Sequence, residues 1–430
     1  MKRIINACAG LEMEKLAAPF GFKGKSIDTL WQSAACVTDE DGLTGVGPAV
    51  QSVVWSDAGL FDAWGDSGGN AAMFMMTRYA AAAMQGRSFS TPWEAREELF
   101  PAVFAYAKRI TGMDALRPTC VLNAMVGLDF ALWQLYVREK GLSGYDEALP
   151  DKWRSCQARR HRLLGEIPLV SYGVGEEQIL SLARQGAFLL KIKIGADPDK
   201  DGDQDKMLAW DKARLARIHG LLAGEHTPYT DSGRIAYYLD ANGRYGSRDR
   251  LMRLLDHLDA IGALPRVALL EEPFPEGSGR DVSELPVRVA ADESAHSLRD
   301  ADALMDLGYG AMALKPVAKT LSLSLEIAAR AKERGVPCFC ADLTVNPLMV
   351  DWNKCVAARL DALPGMKVGV VESNGRQNYA GWARMQEYHP MNGAGWIRPR
   401  DGVFHLDEDF YRESGGVFRT SPHYAALALK

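Results

Sequence analysis

The chain reads as an α/β protein, a (β/α)8 TIM-type barrel with an N-terminal α+β capping domain that the C-terminal tail completes. Three observations predict it. From about residue 167, short apolar or β-branched runs alternate with amphipathic stretches. Eight such units fit between residues 167 and 373, near the usual size of a barrel of this kind. The segments before and after lack that rhythm.

Taken in order, ACVTDEDGLTGVGPA (35–49) predicts a β-hairpin with a D-G turn, and the stretches near 70–85, 93–111 and 119–140 predict helices. The last of these is apolar over most of its circumference, so it belongs buried between domains. The strand-like runs follow: IPLVSYG (167–173), LLKIKIG (189–195), AYYLDAN (236–242), VALLEEP (267–273), VRVAADES (287–294), GAMALKP (310–316), VPCFCADLT (336–344) and KVGVVES (367–373). Helical stretches such as LMRLLDHLDAIG and LSLSLEIAARAKERG separate them and end in glycines that can cap them. An open doubly wound sheet would need a glycine-rich phosphate turn after the first strand, and GVGEEQ (173–178) does not complete that fingerprint. The expected division is a cap over 1–160, a barrel over 161–375 and a tail over 376–430 that packs on the cap and the barrel rim.

Composition excludes several classes. A hydrophobic content of 47%, a formal net charge of −5 and no basic run with interleaved aromatics exclude a nucleic-acid partner. No stretch approaches the ~18 consecutive apolar residues of a membrane span. The start, MKRIINACAGLEMEK, has too short an apolar segment for a signal peptide, so a cytoplasmic location is expected. The 7 cysteines include no C-x-x-C pair and are expected as reduced thiols, with Cys338 and Cys340 filling the core from one strand rather than binding zinc.

The chemistry sits at the strand ends. Lys191 and Lys193 stand two apart on one run and therefore share a face. Asp240, Glu271 with Glu272, Asp292 with Glu293, and Lys315 end the next four runs, and a (β/α)8 barrel brings those ends to one mouth. A converging set of ionisable groups of this kind marks a site. Carboxylates without nearby histidine or cysteine select Mg²⁺, or Mn²⁺ as its substitute. Adjacent strand residues face opposite ways, so only one of Glu271 and Glu272, and one of Asp292 and Glu293, is expected to be a ligand. Such a site suits removal of the proton α to a substrate carboxylate, with the metal stabilising the enediolate. A lysine is a poor base at its usual pKa of ~10.4, and a second ammonium beside it lowers that value toward the working range.

Assembled in this way, the residues resemble the enolase superfamily, its mandelate racemase/muconate lactonizing enzyme family, and within that the muconate lactonizing enzyme-like branch. The resemblance covers nearly the whole chain. It implies Lys193 as the base of the K-x-K motif and Lys191 as its tuner. Asp240 in LDANG, Glu271 in LLEEPF and Asp292 in ADES would be the metal ligands, and Lys315 in ALKP the acid or base on the other face. GLDFALWQL (127–135) is similar to the helix that joins the family's cap to its barrel. Specificity is expected from the stretches around 16–26, with Lys23 and Lys25, and around 45–55. Glu372 and Asn374 are further pocket candidates on the eighth strand.

The seventh strand has Asp342 where the mandelate-type dyad has a histidine, and VVESNGRQNY lacks the D-x-D of dipeptide epimerases. The expected reaction is racemisation or epimerisation of a small carboxylic acid, or its cycloisomerisation, by a homo-oligomer. Dehydration of an acid sugar uses the same half-reaction. Two readings of another class stay open on the residues: a Schiff-base lyase using Lys315, and a catalytically silent carboxylate-binding relative.

Overall fold

A computed structural model describes all residues from 1 to 430 except Lys23 and Gly24. It opens with three antiparallel strands, β1 (Ile4–Phe22), β2 (Lys25–Asp39) and β3 (Thr44–Gln51), in the order β1-β2-β3. The predicted D-G hairpin is the β2–β3 turn, where Thr38 pairs with Thr44. The long β1 strand was not legible, because its burial is irregular and it shifts register between Lys15 and Phe20. Three helices follow over Ala58–Met84, Pro92–Thr111 and Pro118–Lys140.

The third helix is buried on nearly every side, and its surroundings explain why. One face lies on β3 so closely that a Cβ at Gly45 would stand 1.9 Å from Ala131 O, and one at Gly47 would stand 2.1 Å from Gly127 O. The other face meets the barrel, where Phe130 stacks on Trp352 at 4.0 Å and Trp133 Nε1 donates to Ser322 Oγ at 3.2 Å. This helix is long and apolar enough to cross a membrane, yet 94% of its most apolar window is buried in the protein.

Asp129, on the same helix, accepts from Leu321 N at 2.9 Å and Ser322 Oγ at 2.7 Å, tying cap to barrel at the N-terminus of the helix Leu321–Glu333. Burial pushes its carboxyl up to about 6 against those hydrogen bonds. The folded protein thus holds this proton more tightly than the unfolded chain. The stabilisation is complete below about pH 4 and is lost as pH rises through about 6, a change of about 3 kcal/mol. Asp129→Asn is isosteric and does not titrate. Its stability relative to the parent is therefore expected to rise by that order between pH 4 and pH 7, read from urea unfolding at the two pH values. A difference that stays flat with pH would contradict the burial argument.

The barrel strands are β4 (Leu163–Ile167), β5 (Leu169–Val170), β6 (Leu189–Lys193), β7 (Ala236–Asp240), β8 (Val267–Glu271), β9 (Val289–Ala291), β10 (Ala311–Leu314), β11 (Cys338–Cys340) and β12 (Gly369–Glu372). Each neighbouring pair is parallel. The sheet closes because β4 pairs with β12 while β5, only one residue further on, pairs with β6. Pro168, which has no N–H to donate, separates the two halves of this first staircase strand. The first strand therefore starts earlier than the predicted 167–173 and ends by Val170. Cys338 and Cys340 are buried within β11, and all 7 cysteines are free thiols.

The tail serves both halves of the molecule. Strand β13 (Val403–His405) pairs antiparallel with β4, and the helix Pro422–Ala428 packs on β1 and β2.

Candidate active site

Register places the charged strand ends in one row: Lys193 pairs with Asp240, Asp240 with Glu271, and Glu271 with Ala290, just before Asp292. They floor a cavity of about 500 Å³, counting its open mouth, whose roof comes from the cap. Lys191, Lys193, Asp240, Glu271, Asp292 and Lys315 all line it and all are buried.

Alternation along β6 turns both lysines inward, as the sequence predicts. Lys193 Nζ donates to Asp240 Oδ2 and to Asn242 Oδ1, each at 2.6 Å. Lys191 Nζ lies 3.1 Å from Asp240, 3.2 Å from Glu271 and 3.1 Å from Glu372. Burial disfavours its charge, but those three carboxylates outweigh burial and hold its pKa well above the ordinary value. Asp240 shows the converse, because Lys191 and Lys193 overcome burial and hold it below the usual carboxylate range. Burial pushes Glu271 up to about 7 despite Lys191. On the far side Lys315 Nζ engages the Asp292 carboxylate and lies 4.4 Å over the Trp55 ring.

Glu271, Asp292 and Glu293 present oxygens that all lie within 4.8 Å of one another. Asp240 is not in that group and stands beside it, on the two lysines. Asp292 and Glu293 both line the cavity, so alternation gives no reason to expect only one of them as a ligand. Strand β9 ends at Ala291, so strict alternation no longer applies to either residue. For Glu271 and Glu272 the expectation matches the geometry. Glu272, at φ +40°, turns away and accepts from Asp292 N at 2.7 Å, Ser294 N at 2.9 Å and Ser294 Oγ at 2.7 Å. Burial and the charge of Glu293 push its carboxyl up to about 8.

The donor set fits a hard divalent cation. It is all oxygen, no histidine or cysteine lines the cavity among the described residues, and buried Asp292 Oδ1 accepts no hydrogen bond.

Several contributors escaped the sequence reading. Asn242 bridges Lys193 and Glu293, with its Nδ2 3.0 Å from Glu293 Oε1. Lys319 donates to Asp292 O and lies 3.4 Å from Asp292 Oδ1. Its signal was the K-P-V-A-K spacing, because Lys315 and Lys319 flank one helical turn, Pro316–Lys319. Trp55 reaches the mouth from the helix Val53–Ser56, at the end of the 45–55 stretch expected to carry specificity, where the sequence distinguishes no single residue. Arg117 closes the cap onto the barrel, with its guanidinium on Glu276 and on Glu293 O at 3.3 Å and its backbone N–H on Asp57 at 2.8 Å. Of the predicted specificity lysines, Lys25 pairs with Asp62, and Lys23 lies outside the described residues. Glu372 and Asn374 both line the cavity, with Asp342, which burial and Glu372 push up to about 7.

A capped parallel barrel with an acidic, lysine-flanked mouth defines the class of protein, and comparison with known families agrees. Residues 176–369 match the family model described as enolase C-terminal domain-like. No curated protein matches the chain in sequence. Among solved structures, a mandelate racemase/muconate lactonizing protein from Herpetosiphon aurantiacus superposes with a TM-score of 0.63 at 17% identity, covering 95% of this chain and 96% of that one. A dipeptide epimerase from Enterococcus faecalis V583, complexed with Mg and L-Leu-L-Tyr, gives 0.63 at 14% identity over 94% and 100%. L-Talarate dehydratase from Polaromonas sp. JS666, complexed with Mg and L-glucarate, gives 0.62 at 16% identity over 94% and 92%. Residues 176–369 are thus similar to the enolase C-terminal domain-like family, and the chain as a whole shares the fold of these solved structures.

Proposed function

We propose that the chain is a Mg²⁺-dependent enzyme that removes the proton α to the carboxylate of a small acid, in a racemisation or epimerisation, a cycloisomerisation, or an acid-sugar dehydration. The observation that carries this is the placement of Glu271, Asp292 and Glu293, oxygens within 4.8 Å of one another, between lysines that arrive from β6 and from the end of β10. Those carboxylates, with Asp240 beside them, would hold the ion. When bound, Mg²⁺ or its substitute Mn²⁺ supplies the positive charge that lowers the cost of the dianion formed as the proton leaves.

The remaining roles fall to the chain's own side chains. Lys193 takes the proton on one face, and Lys315 delivers or accepts one on the other. Lys191, kept charged by its three carboxylate neighbours, is the second ammonium of the pair and stands two residues from Lys193 on the same face of β6. The cap over the mouth excludes water from the reacting carbon.

The test is exchange of the substrate α-proton in D₂O across a library of carboxylic acids. We expect exchange that stops after dialysis against EDTA and returns with Mg²⁺ or Mn²⁺. Exchange that survives EDTA, or borohydride trapping of substrate on Lys315, would overturn the reading. Formation of a 2-keto acid rather than the opposite enantiomer separates dehydration from racemisation.

A further inference from the structure

We infer that the substrate is a monocarboxylic acid whose body away from the reacting carbon is apolar and uncharged and offers one hydrogen-bond acceptor. This rests on the proton-abstraction reading above and specifies the acid it acts on. The floor and the roof of the cavity differ in kind. Among the described residues, every charged group lining it belongs to the barrel floor, where the lysines and carboxylates engage one another.

The roof and rim bring Phe20, Ile27, Leu30, Val54, Trp55 and Leu343, hydrocarbon or ring surface interrupted, among the described residues, by the Ser52 hydroxyl and one indole N–H. The cap's Lys25 is drawn off to Asp62 and lies 5.1 Å over the Phe61 ring, so among the described residues no cation of the cap lines the cavity. On the barrel side of the rim the neutral polar side chains of Thr344 and Asn374 are already used. Thr344 Oγ1 donates to Asn374 Oδ1 at 2.7 Å, and Asn374 Nδ2 donates to Glu372 at 3.3 Å.

A second charge on the substrate would therefore enter the roof without a counter-ion, and a polyol would press several hydroxyls against carbon. Both lose hydration without replacement. A branched or aromatic hydrocarbon body gains from the same surface.

A fully buried donor of the roof is unspent. Trp55 Nε1 is a buried donor with no acceptor among the described residues, a rarity among buried polar groups. Its ring is fixed over the Lys315 ammonium at 4.4 Å, beside the place of reaction. A ligand with one neutral acceptor near its α-carbon, such as an amide carbonyl, satisfies that donor.

The test compares N-acetylleucine and N-acetylphenylalanine with N-acetylglutamate, N-acetylarginine and gluconate, by α-proton exchange in D₂O with Mg²⁺ and by isothermal titration. The two apolar acids are expected to lead the others by at least about tenfold in kcat/KM and in affinity. Trp55→Phe keeps the ring and removes the donor, so it should weaken binding of the acetylated acids roughly fivefold. Phe20→Arg at the half-buried rim should shift preference toward N-acetylglutamate, and Ile27→Arg provides the same test if that variant does not fold. A wild-type preference for gluconate or either charged acid overturns the inference. If no acid exchanges but titration still ranks the apolar acids first, the proton-abstraction reading falls and this one stands. Titration without that ranking sinks this one.

Discussion

Lys193→Ala is expected to abolish α-proton exchange from one enantiomer of the substrate, lowering it by ~10³-fold or more, within the ~10²–10⁴ that a positioned proton-transfer group contributes. Lys315→Ala should do the same to the opposite enantiomer, because the two ammonium groups approach from different arcs of the mouth. Lys193 shares Asp240 and Asn242 on the β6–β7 side, and Lys315 meets Asp292 on the β9–β10 side. Circular dichroism and Mg²⁺ titration establish that each variant still folds and binds the ion. A protein with Lys193→Ala that exchanged both enantiomers at the parental rate would remove this lysine from the mechanism.

The second large effect is expected at Asp292. Its carboxylate receives Lys315 and stands 3.4 Å from Lys319, and both lysines are as buried as the aspartate. Asp292→Ala leaves two buried amines without their acidic partner, and breaking a buried pair on one side costs about 3–5 kcal/mol. Burial already lowers the pKa of Lys319, so part of that cost is relieved by its losing a proton. The same substitution removes one of three clustered oxygen donors, so Mg²⁺ affinity should fall in parallel with stability. Asp292→Asn keeps an oxygen for the lysines and is expected to recover much of the stability and little of the ion binding. Urea unfolding and calorimetric Mg²⁺ titration of the two variants read these effects apart. Unchanged stability and unchanged affinity in Asp292→Ala would exclude the aspartate from both roles.

What was legible in the sequence follows from what strand periodicity controls. Alternation along β6 fixed the common face of Lys191 and Lys193, and the apolar runs before Asp240, Glu271, Asp292 and Lys315 announced strand ends that a parallel barrel must gather. The same rule lapses where a strand stops early. Glu293 lies beyond the end of β9, free of the alternation that was expected to turn it away. The first barrel strand was misplaced because Pro168 divides it into two short pieces, neither long enough to show a period. Contacts that join distant parts of the chain, such as Trp55 over Lys315 or Arg117 on Glu276, left no local trace. Gly45 and Gly47 were visible as residues, but their reason, the near touch of Ala131 and Gly127, exists only once helix and strand have met.

The helix Pro118–Lys140 carries a consequence for the order in which the chain acquires its structure. It is apolar on both sides, and the residues that cover its barrel side, among them Ser322 and Trp352, come some two hundred positions later. A ribosome delivers the cap first, so the nascent cap waits with that face of the helix uncovered until most of the barrel has emerged. For this interval Phe130 and Trp133 make the N-terminal half an adhesive surface, and a fragment truncated near residue 160 would keep it permanently.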